Sequence, residues 1–144
     1  MQPQVDFYVL EQGELSARSD FICRLSAKIV GRGLRVTILT ESESQIDALD
    51  QHLWHVPPES FIPHGTDGEA DEAVILKCAD SAPDPSTVCI NLRRDPPNNH
   101  AQLSRLVEIV CQEPGVLAAT REKYRFYRQL NYPLQSHPIS ATAN

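Results

Sequence analysis

The chain has 144 residues, 41% hydrophobic and 22% charged, with a formal net charge of -6 and a pI near 5.3. That length suits one domain around a single core, and the composition excludes a disordered or fibrous chain. The excess of acid argues against direct binding of DNA, because affinity for a phosphate backbone comes from many Lys and Arg neutralising phosphates.

In chain order, VDFYVL (Val5 to Leu10) is a β-branched and aromatic run bounded by polar residues and reads as a strand. From Ser19 onward Phe21, Ile22, Leu25 and Ile29 recur at helical spacing, with Ser19 or Asp20 as the cap and Gly33 as the stop. RVTILT follows as a strand, and Ile46, Leu49 and Leu53 behind the cap Ser42 predict a second helix. A β-α-β-α opening requires helices on the faces of a largely parallel sheet, since parallel neighbours need a crossover connection. Two short apolar runs, AVILKC and TVCINL, read as further strands across ADSAPDPS, a turn-rich stretch short enough for a hairpin. LVEIV (Leu106 to Val110) fits either a strand or the end of a helix begun near Asn99. After QEPG the pattern predicts a last helix over Val116 to Leu130, and NYPLQSHPISATAN trails off in Pro, Ser and Ala. The expected organisation is one α/β domain over 1–132 and a loosely held tail over 133–144.

Motifs that suggest chemistry fail in their context. Phosphate-cradling glycines follow a strand and open a helix, whereas Gly31 and Gly33 end one. DGEADE places acids at three positions of a calcium-loop template, but Glu72 stands where the template needs Gly and Cys78 where it needs Glu. Of His52, His55, His64, His100 and His137, only His52 and His55 lie three apart, and they straddle a helix end with no third ligand in view; no catalytic grouping emerges from spacing. Cys23, Cys78, Cys89 and Cys111 contain no C-x-x-C pair and read as free thiols, buried where they sit in apolar runs. With no signal peptide at MQPQVDFYVL and no apolar run near 18 residues, that usage points to a reducing cytoplasm and no membrane.

Two surfaces carry information. The first 114 residues hold 9 Lys+Arg against 18 Asp+Glu, while the last 30 hold 4 against 1, concentrated in REKYRFYR (Arg121 to Arg128). On a helix turning about 100° per residue, Arg121, Tyr124, Arg125 and Arg128 share one arc. Val116, Ala119, Phe126, Tyr127 and Leu130 fall opposite, with Lys123 as an exception that reaches out along its stem. Guanidinium forks bind carboxylates in pairs of hydrogen bonds, and Val110 and Leu117 offer apolar surface beside them, so the arc suits an acidic peptide end with one large apolar side chain. The second surface is LWHVPPESFIPHG, where three prolines stiffen a loop carrying Trp54, Phe61 and Ile62, residues typical of interface anchors. Two rival readings are a small nucleotide-binding enzyme with its site at the strand ends and a homodimer built on the Trp54 loop.

VDFYVL, ALDQHLW followed by PPESFIPHG, and the R-x-x-Y-R-x-x-R spacing in REKYRFYR together resemble the chi subunit of bacterial DNA polymerase III holoenzyme, over nearly the whole chain. The resemblance implies a non-catalytic, cofactor-free adaptor of the clamp-loader complex. It also implies a three-layer α/β/α sandwich, Rossmann-like with a largely parallel or mixed sheet and no phosphate-binding loop. By the same resemblance, Arg121, Tyr124, Arg125 and Arg128 with Val110 alongside hold the acidic C-terminal tail of single-stranded DNA-binding protein. Trp54 and Phe61, with Ile62, Pro63 and His64 near them, face the psi subunit or, in its place, an iron-sulfur repair helicase. One departure is Leu117, which stands where the family pattern leads us to expect a further cation.

Overall fold

Period-two alternation along β1 (Gln4–Leu10) sends Val5 and Phe7 to one face of a sheet and Tyr8 and Leu10 to the other. The computed structural model describes residues 3–54, 64–66, 74–78, 83 and 85–139. After β1 come α1 (Leu15–Gly31), β2 (Val36–Leu39), α2 (Glu43–Trp54), β3 (His64–Thr66), β4 (Val74–Lys77), β5 (Val88–Asn91), β6 (Arg105–Val110), α3 (Pro114–Gln129) and β7 (Leu134–Ile139). Among the described residues the sheet has seven strands in the order β3-β4-β2-β5-β6-β1-β7, and every neighbouring pair is parallel.

Helices cover both faces. Ile22, Cys23 and Leu25 of α1 and Ile46 and Leu49 of α2 pack on Val36, Ile38, Leu76, Ile90 and Ile109. On the other face Tyr127 of α3 packs with Val5, Phe7, Leu39, Cys89, Leu106 and Val110. The result is the α/β/α sandwich, and central strands β2 and β5 are buried at all four positions because both their faces are covered.

Local signals explain the helix ends. Ser42 Oγ accepts the amide of Gln45 at 3.3 Å, capping α2 where the sequence placed the cap. Gly33 adopts φ 81°, and the amides of Gly33 and Leu34 donate to the carbonyls of Val30 (2.9 Å) and Ile29 (3.3 Å), the bond pair that closes a helix through a left-handed residue. The glycines of GRG therefore end α1, and the turn from β1 into α1 holds only Gly13.

Three expectations change and one open reading is decided. α1 begins at Leu15, ahead of Ser19, because its first turn is polar and largely exposed and carries no apolar period. LVEIV is strand β6. β4 and β5 are no hairpin: they run parallel with β2 between them and do not pair with each other. Finally, Leu134–Ile139 of the expected loose tail pair along their length with β1. Pro138, which lacks a backbone donor, fits there because β7 is an edge strand.

Candidate protein-interaction site

α3 starts at Pro114, whose missing amide proton would have had no helical partner, and Glu113 Oε2 accepts the Val116 amide at 2.9 Å. Bonds from the Gly115 and Val116 amides hold the Glu113 carboxyl below its usual range.

The helix is fixed to the sheet by a buried polar cluster. Glu108, pointing up from β6 at 1% exposure, receives Lys123 Nζ at 2.6 Å on one oxygen. Its other oxygen accepts the Tyr127 hydroxyl at 2.8 Å and Asn91 Nδ2 at 2.9 Å. Lys123 Nζ also donates to the Arg93 carbonyl at 2.7 Å. Burial, and then the adjacent Glu108 charge, push the Tyr127 phenol far up, so it stays a donor. Lys123 is thus 5% exposed and turned inward, where the helical pattern alone had it reaching for solvent. The signal that would have found the pair is a lone acid inside LVEIV together with a lone cation inside the apolar stripe of α3.

With that side anchored, Arg121, Tyr124, Arg125 and Arg128 all lie exposed on α3. Arg121 and Arg128 have no acidic partner among the described residues. Arg125 Nη1 meets Glu122 Oε1 at 2.8 Å, with the side chains 68% and 73% exposed. A pair so open to water holds by well under about 1 kcal/mol and exchanges readily for another carboxylate. Tyr124 keeps 37% of its surface exposed while its ring lies 5.4 Å from that of Phe7, which fixes its tilt. Leu117, one turn before Arg121, is half-buried against the core beneath. Val110 is 3% exposed and forms the floor under the helix, not an open flank. Phe126 does not enter the core: it is 36% exposed and stands edge-on to His100 with centroids 5.1 Å apart.

Of the second surface, Trp54 is the last residue of α2 and His64 the first of edge strand β3. Phe61, Ile62 and Pro63 lie outside the described residues. All four cysteines are free. Among the described residues no group of three or more His, Cys, Asp or Glu is placed to hold a metal ion, and no helix is long and apolar enough to cross a membrane.

Known proteins match this sequence along most of the chain. The family described as "DNA polymerase III chi subunit, HolC" matches residues 1–135. The DNA polymerase III subunit chi of Pseudomonas aeruginosa is 37% identical over 137 residues, covering 94% of this chain and 96% of the relative. The proteins of the same name from Escherichia coli (30% identical; 90% and 94% covered) and Haemophilus influenzae (25%; 96% and 99%) also align along most of their lengths. On a family match over residues 1–135 and a relative at that identity, the chain belongs to the DNA polymerase III chi subunit family.

Proposed function

We propose that this chain is a non-catalytic adaptor subunit of the bacterial replicase, working in the cytoplasm, whose α3 captures the acidic C-terminal tail of single-stranded DNA-binding protein. The observation that carries the reading is the exposed arc of Arg121, Tyr124, Arg125 and Arg128 on a helix locked to the sheet, in a protein of net charge -6. Guanidinium groups bind the tail's carboxylates, and its terminal apolar side chain packs beside Tyr124 and Leu117. No bond is made or broken. Exposed charge pairs of about 0.2–1 kcal/mol each, added to one apolar contact, make the binding weak and reversible, with a dissociation constant that rises with salt.

The loop from Trp54 to His64 is proposed as the second contact, taking a psi-like clamp-loader subunit or an iron-sulfur repair helicase. The helix it follows, α2, packs on the sheet face opposite α3. Calorimetric titration of the protein with a tail peptide tests the first contact. Unchanged affinity after Arg125→Ala and Arg128→Ala together would remove it. For the second, Phe61→Ala is expected to abolish co-purification with a psi-like partner while leaving the melting temperature in place; a large loss of stability would return Phe61 to the core.

A further inference from the structure

On the sheet face opposite α3 a cavity of about 290 Å³ opens between α1 and strands β1, β6 and β7. Phe21, Leu25 and Ile29, spaced four apart on α1, form one wall, and Tyr8, Val107 and Ile139 form the floor. A second ladder on the same helix, Arg24, Lys28 and the capping residue Arg32, lines the same cavity and is exposed. Arg105 joins them from β6, and among the described residues no acidic one lines the cavity. The carboxylate below it, Asp6, is already engaged by Arg105 Nε at 3.2 Å and His137 Nε2 at 3.0 Å, and His137 stacks on Tyr8 with centroids 4.8 Å apart. Arg24, Lys28 and Arg32 have no carboxylate partner among the described residues.

We propose that this cavity is a binding site for a small amphipathic carboxylate, its apolar body between α1 and the sheet and its acid at the rim of Arg24, Lys28 and Arg32. An apolar interior with a few convergent polar groups is what small-molecule sites share, and this volume stands at the low end of their range of roughly 300–1,000 Å³. One ring or a short chain fits; a peptide segment does not. Free phosphate is disfavoured by the apolar wall, and a neutral oil leaves the three cations without a counter-charge. The site is separated from the α3 arc by the sheet itself, so the two stand or fall independently.

The test titrates the whole chain with sodium octanoate, with 1-octanol, and with a short peptide ending in leucine, following backbone amide chemical shifts. Saturable shifts with octanoate, centred on α1, β1 and β7, support the site, as does weaker binding of octanol. Arg24→Gln, Lys28→Gln and Arg32→Gln, all at exposed positions, should weaken octanoate by up to about fivefold for each cation removed. Ile29→Trp, which fills the cavity, should abolish the shifts. The proposal is overturned if octanoate gives no saturable shift, if its shifts lie on α3, if octanol binds equally well, if the glutamine variants bind unchanged, or if only the peptide binds.

Discussion

The buried contact between Lys123 and Glu108 makes the sharpest prediction. Both side chains are nearly sealed, at 6% and 2% exposure, and Nζ lies 2.6 Å from the carboxylate. Lys123→Met leaves a buried carboxylate with only the neutral donors Tyr127 and Asn91, and Glu108→Gln leaves a buried ammonium facing carbonyl oxygen. Removing one member of such a pair costs about 3–5 kcal/mol, because the remaining charge keeps its desolvation penalty and loses its counter-charge. Against a total stability of about 5–15 kcal/mol, either change is severe. The double variant should cost less than the sum of the singles by about 0.5–3 kcal/mol, since removing both charges removes the penalty each leaves alone. Urea unfolding followed by far-ultraviolet circular dichroism reads the midpoints, with the slopes compared to check that the unfolded states are alike. If Lys123→Met unfolds within about 0.5 kcal/mol of the parent, the ammonium is in water and the clamp on α3 does not exist.

Three further outcomes are expected. Burial pushes the Cys23 thiol up to about 12 and the Cys89 thiol higher still, and Cys111 is fully buried, so iodoacetamide on the native protein at pH 8 should label half-buried Cys78 first by a wide margin; equal rates at all four would contradict the packing, as read by peptide mass mapping. Desolvation lowers the pKa of His100, which shares a 2.7 Å hydrogen bond with the Tyr132 hydroxyl. The neutral ring is therefore the stabilising form: its contribution is complete above the unfolded-state value near 6.5 and is lost as pH falls toward the folded value. Between pH 7.5 and pH 5 the parent should lose more stability than His100→Gln, and parallel pH profiles would refute this. Finally, affinity for a tail peptide should fall by up to about fivefold for each of Arg121, Arg125 and Arg128 changed to Ala, least for Arg125, which trades one exposed carboxylate for another. Calorimetry at two salt concentrations checks it, and an affinity indifferent to salt would contradict the mechanism.

Much of this was legible because local chemistry and global fold agree. The Ser42 cap, the Gly33 stop and the period-two run of VDFYVL each act through bonds to near neighbours, and those bonds form as the sequence implies. The exposed arc of α3 was equally readable, since a helical period fixes which residues share a side. What escaped depends on partners far along the chain. Nothing in AVILKC or TVCINL announces that β2 slides between them, and a four-residue apolar run pairs as well in parallel as in a hairpin. Pro138 and the polar text around it suggest a loose end until β1 supplies the ladder. Val110 looked like a flank of the arc because its own strand was undecided; once β6 lies under α3, it becomes floor.

The position of β1 has a consequence for biosynthesis. β1 is made before the two strands it pairs with, 105–110 and 134–139. Its apolar side chains must therefore wait, without those strand partners, until β6 has been made. Such distant pairing slows folding and leaves a nascent edge open to other chains, so termination upstream of β6 should yield insoluble product where the full-length chain does not.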